Sequence, residues 1–175
     1  MQHLTLAYQN EDDRAYGLAG MTISLAALDA IDRVSEVSLD ADGPMVTFSH
    51  EYYFSGSPSI SPKTTWNNLV HNFYLTTAMV VSNVMSRSLV RLGEEIPKEV
   101  EKQIREQVAE EGRETCALED DEIDRLYAKT TGYMRRIFGN PRIRPAIGEF
   151  ARVLSRRRQL SGMEIVDELR MLEII

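Results

Sequence analysis

A mainly α, multihelical single domain, built around a central apolar helix at about residues 64–92 and carrying one β-hairpin at about 36–54, is the fold the sequence predicts. The stretch 64–91 is the longest run compatible with one helix, and its only charged residues are Arg87 and Arg91. From Val37 to Phe54 the apolar residues instead alternate with a period of two around Asp42-Gly43, the signature of two short strands and a turn. Most of the remaining chain returns to helical spacing. A length of 175 residues with 43% apolar content suits one domain that can close a core.

The central helix shows two apolar stripes side by side. Trp66, Leu69, Val70, Phe73, Val80 and Val84 trace the first, and Tyr74, Ala78, Val81, Met85, Leu89 and Leu92 the second. A helix apolar over most of its circumference has to be wrapped by other elements. Ser61 or Thr64 can cap its start, Pro62 suits the lead-in, and Gly93 fits the position just past its end.

From the N-terminus, Asn10 reads as a helix cap followed by first-turn acids Glu11, Asp12 and Asp13. The helix is expected to run to about Val34. Its small residues, among them Gly17, Ala19, Gly20 and Ser24, would let a second helix approach closely. The hairpin follows, with its turn at Asp42-Gly43 and Val46, Phe48, His50, Tyr52 and Phe54 on the return strand. Two strands alone are marginal in water, so the hairpin must lie on the helices or pair with another chain. A turn-rich loop at 55–62 leads into the central helix.

Beyond Gly93, Val100, Ile104 and Val108 give an acidic helix only a narrow apolar stripe, which places it outside the core. A turn is expected around 112–118, with Cys116 in a loop. Glu119, Asp120, Asp121 and Glu122 then open a helix to about Phe138 with the stripe Ile123, Leu126, Tyr127, Thr130, Met134 and Ile137. A helix starting at Pro141 or Pro145 buries Ile147, Phe150, Ala151 and Leu154, and Ser161 with Glu164 forms a capping box for a short last helix.

Charge is the most uneven property. Residues 135–158 carry eight arginines and one acid, whereas 94–124 carry thirteen acids and four bases, in a chain of net charge −7. One reading makes Arg135, Arg136, Arg142, Arg144, Arg152, Arg156, Arg157 and Arg158 a phosphate-facing or acidic-partner surface. The other pairs the basic segment with the acidic one, within the chain or from a second copy. The second is favoured, because net negative charge opposes non-specific polyanion binding and no RNA-module signature is present.

Other groups carry less. His50-Glu51 lacks the second histidine of a zinc-protease motif. His71 could act as a base only beside an oriented partner. Cys116 among acids has no surroundings that would lower its pKa, and a single cysteine excludes an internal disulfide. Asp40 and Asp42 suit turn chemistry rather than a calcium loop, and Glu119 to Asp124 need no magnesium ion to justify them. Stretches 15–30 and 69–90 are too polar to span a membrane. A secretory leader is not evident.

The functional expectation is a non-catalytic protein-interaction or regulatory protein, cytoplasmic, without metal or cofactor, and self-associating as a homodimer because too many apolar faces seek cover. A nucleic-acid-binding accessory protein using 135–158 is the second reading. An enzyme with a cleft centred on His71 is the third.

Overall fold

In the computed structural model, residues 4–49 and 62–175 are described. Six helices and a small three-stranded antiparallel sheet make up this part of the chain, a mainly α architecture with a β-hairpin.

Helix α1, Glu11–Ala27, starts where expected: the Asn10 side chain accepts the Asp13 N–H at 2.8 Å. It ends seven residues before Val34. Asp29 adopts φ 55, and the Ala30 N–H reaches Leu25 O at 2.8 Å while the Asp29 N–H reaches Ala26 O at 3.1 Å. This left-handed cap satisfies the last carbonyls and turns the chain away, so the residues from Leu28 to Val34 leave the helix. A 3-10 turn, Ile31–Arg33, leads into strand β1, Val34–Ser38.

Strand β2, Val46–Phe48, pairs antiparallel with β1 through Val34↔Phe48 and Val37↔Val46, with a bulge between Val34 and Glu36. The pairing closes where the Ser38 N–H meets Met45 O at 2.8 Å, so residues 39–45 form a wide loop rather than a two-residue turn at Asp42-Gly43. The expected outer residues His50, Tyr52 and Phe54 lie outside the described residues. On the other side of β1 lies a strand the periodicity did not suggest, β3, Gln159–Ser161, in register Val37↔Leu160. Arg158, at φ 67, reverses the chain into it. A third strand with buried Leu160 supplies the support that two strands alone lack.

Helix α2, Pro62–Met85, continues into a π-helical segment, Ser86–Leu92, that stops at Gly93 with φ 69. It packs against α1 and against α3, Lys98–Cys116, and α4, Asp120–Phe138. Helix α5, Arg144–Arg157, packs against α1 and also meets the π segment, and α6, Gly162–Met171, packs beside the sheet. The α1–α2 contact is close because Gly20 has no side chain: a Cβ there would come within 2.3 Å of Ser82 O. The small residues of α1 therefore serve the helix contact they suggested.

Within the stretch 112–118, where a turn was expected, helix α3 continues to Cys116 before Ala117, at φ 51, turns the chain. Val100, Ile104, Val108, Gly112 and Cys116 are all buried at intervals of four, and a Cβ on Gly112 would meet the Phe73 ring at 2.9 Å. The glycine is a seat for that ring rather than a stop signal. Helix α4 has the predicted limits, and the Glu122 carboxylate accepts the Glu119 N–H at 2.9 Å. Pro145 lies in the first turn of α5, and the Ser161–Glu164 capping box opens α6. Among the described residues no helix is long and apolar enough to cross a membrane.

Candidate functional site

The arginines of 135–158 lie on α4, on α5 and in the turns that follow each, and engage several different parts of the fold. Arg135 stands 2.6 Å from Glu95, Arg152 pairs with Glu149 on its own helix, and Arg157 reaches Glu164 and Glu168 on α6. Arg158 holds Asp40 at 2.5 Å and also Glu11, tying α5 to the hairpin loop and to the start of α1. Arg144 Nε donates to Phe138 O at 3.2 Å, and the Arg136 guanidinium lies 5.8 Å from the Tyr133 ring centre. The backbone N–H of exposed Arg142 donates to Asn140 Oδ1 at 3.0 Å, and Arg156 is exposed. Arg135 and Arg136 lie on the last turn of α4, Arg142 and Arg144 at the start of α5, and Arg156 to Arg158 at its end, about 20 Å from Arg144 at 1.5 Å per residue, with Arg152 between.

The acidic segment meets the basic one within the chain, among the described residues, through Glu95 and Arg135. Its remaining ion pairs are internal to α3 and α4: Arg105 with Asp124 at 2.8 Å and Arg113 with Asp120 at 2.7 Å.

His71 is exposed on α2, and partial burial followed by the charge of Arg33 holds its imidazole below the ordinary value. His50 lies outside the described residues. Cys116 is not in a loop but buried at the last turn of α3, where burial, helped by Glu111, pushes the thiol up. Its Sγ lies 3.6 Å from Leu69 O. The described residues hold no group of three or more His, Cys, Asp or Glu placed to bind a metal ion.

The most concentrated polar site was not singled out by sequence reasoning. Arg87 is fully buried and opens the π segment. Its Nε and Nη2 donate to the two Asp13 oxygens at 2.9 and 2.6 Å. Nη2 also donates to Thr5 O at 2.8 Å and Ala7 O at 2.9 Å, and Nη1 to Leu6 O at 3.3 Å. Tyr8 lies under the guanidinium with its ring centre 4.9 Å away, and its hydroxyl accepts from Asn83 Nδ2 at 2.6 Å. Arg91, four residues on, reaches the same Asp13 at 3.2 Å and Asp12 at 2.8 Å.

One arginine thus binds the segment before α1 to the core by donating to three successive carbonyls. Burial pushes the Asp13 carboxyl up, but the Arg87 hydrogen bonds, the Gln9 N–H and the charges of Arg87 and Arg91 together hold it below the usual carboxylate value. The sequence did carry a signal: two arginines four apart after a run, 64–86, with no charged residue, and three acids at the start of another helix.

At the opposite end, α2 departs from the expected burial. Phe73, Val81 and Met85 are buried, but Trp66 is 46% and Leu69 39% exposed. The indole is nevertheless held, since Trp66 Nε1 donates to Cys116 O at 3.2 Å. Together with the Cys116 thiol on Leu69 O, this ties the first turns of α2 to the end of α3 while leaving an aromatic and an aliphatic side chain toward solvent. No protein-family model matches the sequence, and no curated protein matches it either.

Proposed function

We propose that the protein is a non-catalytic interaction protein that associates with a second copy of itself through the exposed face at the start of α2. The observation that carries the reading is the anchored, solvent-facing indole of Trp66. Tryptophan is among the residues that dominate binding energy at interfaces, and one already fixed by a hydrogen bond loses less freedom when it is covered. Leu69 stands one turn further along the same helix and extends the apolar surface. A two-fold pairing suits such a patch, because one self-complementary surface covers both copies. The ionic groups support the reading indirectly, since Arg87, Arg157 and Arg158 are engaged in joining elements of the fold.

Sedimentation or light scattering over a dilution series tests it. The expected mass rises above 19.9 kDa with concentration. Trp66→Ala and Leu69→Asp should return it to the monomer value without loss of helical circular dichroism. A mass of 19.9 kDa at every concentration, or association untouched by both substitutions, would overturn the proposal.

A further inference from the structure

A second feature shares no residue with the exposed Trp66 and Leu69 of α2 and is independent of that surface. Between α1, α2 and the hairpin loop runs a cleft of about 750 Å³. Its walls include Met21, Met45, Phe48 and Met79, and Tyr8 and Arg14 also line it. Three of the protein's eight methionines therefore face one space. Methionine side chains are flexible and polarizable, and surfaces rich in them adapt to apolar ligands of varied shape.

The polar side chains of that lining are Tyr8, Arg14, Asp42 and Thr76, and the first two lie together: the Arg14 guanidinium carbon is 5.9 Å from the Tyr8 ring centre. Arg14 is half-buried, and its Nη2 donates to Ala41 O at 2.9 Å. Its Nε is buried with no hydrogen-bond partner, and none of the ion pairs among the described residues includes it. The neighbouring carboxylate of Asp40 is already taken by Arg158. Asp42, at the exposed rim, is the carboxylate among the described lining residues. The Tyr8 hydroxyl accepts from Asn83, and burial pushes its pKa up, so it keeps its own proton to donate. A cation and a hydroxyl donor beside an apolar space of this size are the parts of a site for a small amphipathic anion.

We infer that the cleft binds an organic monocarboxylate with an apolar body, Arg14 and Tyr8 holding the carboxylate and the three methionines and Phe48 covering the rest. Binding gives the Arg14 guanidinium a counter-ion and removes apolar walls from water at once, so neither half of the ligand should suffice alone.

Octanoate titrated into the full chain carrying 13C-methyl methionine is the test. The Met21, Met45 and Met79 signals should shift with saturation, those of exposed Met163 and Met171 should not, and acetate and octanamide should each bind at least tenfold more weakly. Arg14→Gln should weaken octanoate at least tenfold while its thermal unfolding stays near that of the parent. Should that variant fail to fold, Thr76→Glu, which sets a like charge against the ligand from α2, must give the same loss. The inference is overturned if octanoate at millimolar concentration leaves the three cleft methionines unshifted. It is equally overturned if octanamide binds as well as octanoate, or if a folded Arg14→Gln or Thr76→Glu binds octanoate as the parent does.

Discussion

Arg87 is buried with its charge answered by Asp13 and by the carbonyls of Thr5, Leu6 and Ala7. Such a pair adds little net stability over a well-packed apolar replacement, yet breaking it leaves a buried charge without a partner. Arg87→Ala should therefore cost about 3 to 5 kcal/mol in urea unfolding. The double replacement Arg87→Met with Asp13→Leu should recover a large part of that loss, because both charges leave together. A cost near 0.5 kcal/mol for Arg87→Ala, the size usual at surface positions, would show that the guanidinium is not confined as described.

Helix α2 is two different things along its length. From Phe73 onward it is enclosed by α1, α3 and α4, with Phe73 and Val81 at 4% and 2% exposure, while its first turns carry Trp66 and Leu69 outward. The consequence is a gradient in mutational cost along one helix. Phe73→Ala should cost about 3 to 5 kcal/mol, since it empties the space between α2 and Gly112 of α3. Leu69→Ala should stay within about 0.5 kcal/mol in the dissociated protein. Equilibrium unfolding of both variants at a concentration below association checks the pair, and equal losses would contradict the gradient.

Across the whole molecule, carboxylates clamp elements that are distant in sequence, and this sets the response to acid. Asp13 is held below the usual range by Arg87 and Arg91 against its burial. Asp40 is held there by the Arg158 hydrogen bond, and Glu164 by the Ser161 N–H and hydroxyl. A carboxyl whose folded pKa is depressed contributes stability that is present above its unfolded pKa, near 4, and lost as pH falls through the folded value. Glu111, raised by burial, works in the opposite sense. With three groups against one, the urea midpoint should hold near neutral pH and fall as pH drops below about 4. Asp40→Asn should make that fall shallower. A midpoint independent of pH between about 5 and 2 would show that the clamps contribute nothing in solution.

Periodicity and caps are local properties, and what depends on them was legible in the sequence: the mainly α class, the start of α1 at Asn10, the limits of α4, the first turn of α5 at Pro145 and the capping box of α6. The stop at Gly93 was legible for the same reason. The end of α1 was not, because Val34 continues a helical stripe and only its pairing with Phe48 decides that it is a strand. Strand β3 is three residues long, too short for a period, and exists because Val37 offers a free edge to Leu160, which lies 123 residues away along the chain. Cys116 moved from an expected loop to a helix because the Phe73 ring seats on Gly112. Arg87 was visible as an unusual charge, but its partner lies 74 residues earlier, and spacing on one helix carries no information about which carboxylate another helix brings to it. Contacts between segments distant along the chain, set by which surfaces pack together, are what the tertiary structure alone decided.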